Sequence, residues 1–238
     1  MSLRGFISIV ASPRPRVGKT MLARLLADFH LHNDRNVSAF DLNAPDFELA
    51  QFLPEHAAAA DIAEVKGQME LFDALVRDDR TYRVVDVGAA AFERFFLLAR
   101  DINFASEARK RGLAPVVFYV IGADPVSVDG YAALARLFPD AIMVPVHNAF
   151  LGQAQYRDRF PPRGKGSALV PIPALAPGVR RATERKPMSF NEVFSAQAGD
   201  APHDIGAELQ RWLRKIFLEL RELELRVLMA DLQSSITP

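Results

Sequence analysis

A strand, a tight loop and a helix, in that order at the N-terminus, constrain this chain more than any other feature. Phe6 to Ala11 reads Phe-Ile-Ser-Ile-Val-Ala, a short strand of the buried type. Ser12-Pro13-Arg14-Pro15-Arg16-Val17-Gly18-Lys19-Thr20 follows, and Met21 to Leu26 opens an amphipathic helix. A loop ending in Gly-Lys-Thr between such elements turns backbone N–H groups and a helix N-terminus towards an anion. The N–H groups of Val17, Gly18, Lys19, Thr20 and Met21 would surround phosphates. Lys19 would neutralise their outer oxygens, and the Thr20 hydroxyl would ligate Mg²⁺. The pattern asks for glycine five residues before Gly18, where this chain has Pro13. Pro13 and Pro15 remove donors only upstream of the cluster, but they forbid the positive φ that glycine permits. The plainer alternative is a helix start that happens to carry a surface lysine.

The remaining sequence supplies a large core for that unit. Half of the 238 residues are hydrophobic, enough for one large α/β domain or two small ones. Formal net charge is zero, so the chain as a whole is not drawn to nucleic acid or anionic membrane. There are no cysteines, which excludes a disulfide framework and cysteine-ligated zinc. Neither a signal peptide nor an apolar run of the ~20 residues needed to span a bilayer is visible. The expectation is a soluble cytoplasmic protein.

Apolar periodicity places a helix from Lys19 to about His32, through Leu22, Leu25, Leu26 and Phe29. Further strands are expected at Val37–Phe40, Tyr82–Val87, Pro115–Ile121, Ala141–Val146 and Ala168–Ile172. Helices are expected at Met69–Val76, Ala89–Phe104 with an extension to Lys110, and Val126–Phe138. A helical turn is expected from Phe47 to Phe52, and residues 54–64 are alanine-rich and weakly patterned. Strands alternating with helices of this length imply a mostly parallel sheet. Two segments break the rhythm. Between Tyr156 and Arg185, seven Arg and Lys (Arg157, Arg159, Arg163, Lys165, Arg180, Arg181, Arg185) face only Asp158 and Glu184. From about Asp204 to Leu232, Leu209, Leu213, Ile216, Leu220, Leu223 and Val227 form a heptad seam on a helix of ~40 Å.

Asp41 and Asp86 each end a predicted strand, where ligands of open parallel sheets bind. Carboxylates there can hold Mg²⁺ or a bound water, although capping a helix is the commoner role for any one aspartate. Asn148 follows the fifth strand, where its amide could read a base edge or simply make a turn. The basic segment lacks interleaved aromatics and reads as a solvated loop more readily than a DNA contact. The tail seam is flanked by charges of both signs, which argues against a membrane-lying helix.

Taken together, residues from Gly5 to about Phe194 resemble the deviant Walker-A ATPases of the MinD/ParA group, including the branch found at conjugal-transfer and partition loci. The family loop Gly-Lys-Gly-Gly-x-Gly-Lys-Thr aligns with Pro13 to Thr20, its Asp-x-Asp with Asp41-Leu42-Asn43, and its Walker B strand with Val84 to Gly88. Ile121 to Val128 is similar to the family's strand-to-helix segment. Val146-His147-Asn148 and Leu169 to Pro173 fall where the family contacts and lines the adenine.

The resemblance implies an α/β P-loop NTPase of three layers, with a mostly parallel sheet and a long C-terminal helix. It implies a nucleotide-binding domain over residues 1–200, while 201–238 forms an amphipathic helix packed on it or used for assembly. It further implies ATP and Mg²⁺, with Val17 to Met21, Asn148, Ile172 and Pro173 around the nucleotide and Thr20, Asp86 and Asp41 at the metal. Lys19, Asp41, Asn43 and Arg14 would act in catalysis, with Arg14 reaching across a homodimer in place of the family's lysine. The implied task is positioning or partitioning a cargo, with a protein partner or cargo adaptor. Arg14 for lysine and Asn43 for aspartate depart from the pattern, as do three missing loop glycines. Binding is therefore expected to outlast hydrolysis. A non-hydrolysing scaffold is the runner-up. A small-molecule ligase or kinase on the same fold finds no second substrate motif.

Overall fold

The computed structural model describes residues 3–152, 157–184, 189, 190, 192 and 203–236. Seven strands form one sheet in the order β3-β2-β4-β1-β5-β6-β7, every pair parallel. The strands are β1 (Gly5–Ala11), β2 (Val37–Asp41), β3 (Ala57–Ala59), β4 (Tyr82–Asp86), β5 (Leu113–Val120), β6 (Ile142–Asn148) and β7 (Val170–Ile172). Helices α1 (Lys19–Leu31), α2 (Glu48–Phe52), α3 (Val65–Leu75), α4 (Phe92–Asp101), α5 (Phe104–Lys110), α6 (Pro125–Leu137), α7 (Pro177–Glu184) and α8 (His203–Ile236) cover it. This is the three-layer α/β fold, with a parallel sheet and a long C-terminal helix, that the resemblance implies.

Alternation along the central strands builds the two cores. On β1, Phe6 and Val10 face α1, α2, α7 and α8, while Ile7, Ile9 and Ala11 face α3 to α6. On β5, Val116, Phe118 and Val120 join the first core, and Val117 and Tyr119 the second. The second core is aromatic: Phe72, Phe95, Phe96, Phe104 and Phe138 meet in stacked and edge-on pairs.

The structure corrects the sequence reading at three places. Six strands were expected; the seventh, β3, lies in the alanine-rich stretch. Alanine has poor strand propensity and gives no alternation, so β3 exists only through its pairing of Ala57, Ala58 and Ala59 with Ala39, Phe40 and Asp41. Helix α3 starts at Val65, ahead of Met69. It includes Gly67, where an added Cβ would lie 1.8 Å from the Asp61 carbonyl oxygen. The helix expected over Ala89–Phe104 runs only from Phe92 to Asp101, and the further helical segment expected to Lys110 starts at Phe104, after a break at Ile102 and Asn103, the latter at φ 53°.

Helix α8 lays its apolar seam on the first core. Leu209, Leu213, Ile216, Leu220, Leu223 and Val227 are buried there with Trp212 and Phe217. Phe217 meets Phe29 of α1 edge-on at 5.6 Å. Glu224 accepts two hydrogen bonds from the Arg35 guanidinium at 2.6 and 3.0 Å, a bidentate geometry that fixes the helix along its axis. The boundary expected at residues 200 and 201 lies outside the described residues. Among the described residues, no helix is long and apolar enough to cross a membrane.

Candidate functional site

The loop after β1 crosses the carboxyl edge of the sheet at its middle, beside β4 and β5. Gly18 stands before α1 at φ 91°, in the left-handed region. A Cβ there would lie 2.6 Å from Asn148 Nδ2, so backbone conformation and space both require glycine. Arg16, aligned with a family glycine, also takes a positive φ of 58°, uncommon for a side-chain-bearing residue. The loop thus keeps a left-handed turn without that glycine. Lys19 is buried, and its ammonium donates to the Arg14 carbonyl at 2.7 Å. Burial lowers its pKa, against the opposing pull of Asp86.

Asp86 ends β4 next to the loop and is fully buried. Its Oδ2 accepts from the Thr20 hydroxyl at 2.7 Å, and its Oδ1 has no hydrogen-bond partner among the described residues. Burial pushes its pKa up to about 7, and the neighbouring Asp41 carboxylate pushes the same way against Thr20 and Lys19. The β2–β4 register sets Asp41 directly beside Asp86.

Asp41 accepts hydrogen bonds on both of its oxygens. Its Oδ1 accepts from Asn43 N at 2.9 Å and Asn43 Nδ2 at 2.8 Å, and its Oδ2 accepts from Leu49 N at 2.7 Å and Ala50 N at 3.3 Å. It anchors the loop after β2 and caps α2. Four N–H donors already occupy the oxygens that the sequence reading gave to metal and water. Asn43 Nδ2 also reaches the Asp86 carbonyl at 3.3 Å, so its amide braces two strand ends.

A cleft of about 590 Å³ opens beside the loop after β1. Gly18 and the first residues of α1 (Lys19, Thr20 and Met21) line it, with Asn43 from the loop after β2, Asn148 from the end of β6 and Pro173 from just after β7. Asn148 donates to the Val17 carbonyl at 3.1 Å and accepts from Phe150 N at 3.2 Å, so its amide ties loop to strand end. Ile172, expected at the nucleotide, is buried in the core behind Pro173. Val17 is buried beneath the loop. Arg14 lies half-exposed outside the cleft, its Nε 3.4 Å from Asp124 Oδ1; Asp124 also caps α6 by accepting from Ser127 N.

Two described residues of the basic segment lie in different places. Arg180 lines the cleft with its guanidinium 4.1 Å from the Phe150 ring centre, while Lys165 donates to Ser234 on α8 at 2.7 Å. Tyr156 and Arg185 lie outside the described residues.

Sequence reasoning missed one end of the cleft. Arg24 is buried with its guanidinium 3.6 Å from the Phe52 ring centre and 4.2 Å from that of Phe190. Trp212 of α8 lines the cleft, donates from Nε1 to the Pro173 carbonyl at 2.7 Å, and sits 5.8 Å from Phe190. The available signals were helical spacing and composition. Arg24 follows Thr20 by one turn on the same face, and Trp212 is the chain's single tryptophan, one position off the aliphatic seam.

No family model and no curated protein matches the chain. Among solved structures it is similar to the MinC:MinD cell division protein complex of Aquifex aeolicus, with a TM-score of 0.49 and 14% identity over 88% of this chain and 96% of that one. It is also similar to the nucleotide-binding protein in complex with ADP from Archaeoglobus fulgidus, with a TM-score of 0.40 and 12% identity over 61% of this chain and 67% of that one.

Proposed function

We propose that the chain is a cytoplasmic ATP-binding switch that dimerises on its nucleotide, hydrolyses it slowly, and positions or partitions a cargo. One observation carries the nucleotide reading. A Gly-Lys-Thr loop with a left-handed Gly18 faces an open cleft, and its threonine is hydrogen-bonded to a fully buried strand-end aspartate. Backbone N–H groups at the start of α1 and the Lys19 ammonium would hold the phosphates.

The donors present fit Mg²⁺. Among the described residues Asp86 has no partner for one buried oxygen, beside the Thr20 hydroxyl. Among the described residues no cluster of three acidic or histidine side chains could cage a metal. A site of one or two protein oxygens completed by phosphate and water suits this ion. When bound, Mg²⁺ would stabilise charge on the phosphate oxygens. Thr20 and Asp86 would hold it, and Asp41 would serve by fixing Asn43 and α2.

Slow hydrolysis follows from Asn43. An amide holds water by hydrogen bonds but takes no proton from it, and this amide is already donated to Asp41 and the Asp86 carbonyl. The same observation favours a second reading, a scaffold that binds nucleotide without turnover. Arg14 would bridge the dimer after leaving Asp124. We place the nucleotide-binding unit at residues 1–200, with 201–238 as an appended helix.

Calorimetry with Mg²⁺-ATP on wild type and Lys19→Ala tests the site. Wild type binds, and the variant is weaker by at least tenfold. No binding to wild type refutes the nucleotide reading. Phosphate release separates switch from scaffold. Sedimentation with and without ATP tests dimerisation, and an unchanged mass removes it.

A further inference from the structure

We propose that a second copy of this chain covers the outer face of α8, with the two helices packed antiparallel about Leu225. The contact needs no nucleotide and none of its side chains lines the cleft, so it goes beyond the reading above. Helix α8 carries two apolar faces. One is the seam already buried on the first core. On the opposite face Leu218, Leu225 and Leu232 recur every seven residues, with Met229 between the last two. The three leucines are 57%, 52% and 51% exposed and Met229 is 59% exposed. A helix whose core face is satisfied has no need of leucines on the other, and a seven-residue repeat is the spacing at which one helix meets another.

The stripe is held ready by what lies behind it. Glu224 is bound by Arg35, and Asp231 accepts from Leu3 N at 3.1 Å. The helix backbone runs so close to Gly166 that a Cβ there would lie 2.6 Å from Val227 Cα. Helix α8 is therefore already ordered along the stripe, and pairing does not have to order it.

Charge and register select the same chain as the occupant and set its direction. With the twofold axis at Leu225, that side chain meets its own counterpart and Leu218 meets the partner's Leu232. Met229 packs on the aliphatic stem of the partner's Arg221. Glu222 and Arg226 share one flank of the stripe, one turn apart, and pair within the chain at 3.4 Å. Antiparallel packing brings each Glu222 beside the partner's Arg226, so the same two side chains match twice. A parallel pair would instead set Arg211, Arg214 and Lys215, exposed on the preceding turns, beside their own counterparts. The antiparallel pair carries those bases past the partner's end. A carboxylate on the flank suits this match and opposes an anionic lipid surface. Four apolar side chains a side make a small interface, below about 1,200 Å², of the reversible kind, with a dissociation constant of about 10 µM.

The full chain is sedimented without nucleotide from about 1 to 200 µM. The mass rises from monomer to dimer across this range, and Leu225→Glu holds it at monomer with an unchanged thermal melt. Glu222→Arg weakens the dimer by about tenfold, and adding Arg226→Glu to it restores the dimer. The chain has no cysteine, so Leu225→Cys forms a disulfide-linked dimer under mild oxidation. Leu218→Cys does not, because its two copies stand about 21 Å apart in the antiparallel pair. A monomer throughout the range overturns the proposal, as does a dimer that Leu225→Glu leaves intact. Leu218→Cys linking to itself as readily as Leu225→Cys overturns the antiparallel register, and so does a double exchange that fails to restore the dimer. A monomer that pellets with phosphatidylglycerol vesicles puts lipid on the stripe and overturns the second copy as its occupant.

Discussion

Replacing Asn43 by aspartate sets a second carboxylate beside Asp41, and the geometry around it predicts a loss of stability. Asn43 Nδ2 lies 2.8 Å from Asp41 Oδ1 and 3.3 Å from the Asp86 carbonyl oxygen. A carboxylate oxygen in its place turns two attractions into two repulsions. At 2.8 Å and an effective permittivity near 20, the charge–charge term alone is about 6 kcal/mol. Asn43 is half-buried, so rotation and solvent reduce the observed cost to about 2–4 kcal/mol. Asn43→Ala is the control, because it removes both donors without adding charge and costs about 1–2 kcal/mol. Urea denaturation of the three proteins at one neutral pH reads the difference directly. Asn43→Asp falling below Asn43→Ala by a kcal/mol or more is expected. Equal or greater stability of the aspartate variant refutes the reasoning, since the loop would then accommodate both carboxylates without cost.

Three other perturbations follow from single features. His30 is buried against Tyr82 and Arg35, with the Arg35–Glu224 pair beyond, and burial first, then the Arg35 charge, lowers its pKa from 6.5 to about 3. Below about pH 6.5 the unfolded chain takes up a proton that the folded chain refuses. The stability is therefore complete above pH 6.5 and lost as pH falls towards 3, by about 3 kcal/mol at pH 4.5. Comparing the stability–pH slopes of wild type and His30→Phe checks this, and equal slopes defeat it. Gly18→Ala places a methyl 2.6 Å from Asn148 Nδ2 at φ 91°. It should abolish calorimetric nucleotide binding and lower stability by about 1–3 kcal/mol. Arg83, 2% exposed, donates to the carbonyls of Ala74, Thr81 and Arg77 and to the Asp79 carboxylate. Arg83→Leu orphans those acceptors and should cost about 3–5 kcal/mol in urea, and a cost below about 1 kcal/mol counts against that account.

What could be read from sequence follows a physical division. Strands covered on both faces announce themselves as apolar runs, so β1, β4, β5 and β6 were visible without structure. The edge strand β3 was not, because three alanines carry no pattern and are ordered by a neighbour's hydrogen bonds. The start of α3 was obscured for a related reason. Gly67 is poor helix material in isolation, and its place is set by an Asp61 carbonyl that leaves no room for a side chain.

The candidate site divides in the same way, and the division bears on how it would work. Lys19, Thr20 and Asp86 were legible because a short motif and a strand end fix them locally. Asp41 was legible in position but not in role: both its oxygens are engaged by donors from a loop and a helix that no spacing rule places there. The end of the cleft beyond α1 was not legible because it joins residues 24, 173, 190 and 212, and one of them belongs to a helix expected to pack on the domain or to serve in assembly. That joining has a mechanical meaning. The Gly18 end of the cleft depends on β1, β4 and α1, which share the centre of the sheet, whereas the Trp212 end depends on α8 resting on the first core. Loosening α8, for instance at the Arg35–Glu224 pair, should therefore disturb the Trp212 end while sparing the loop around Gly18.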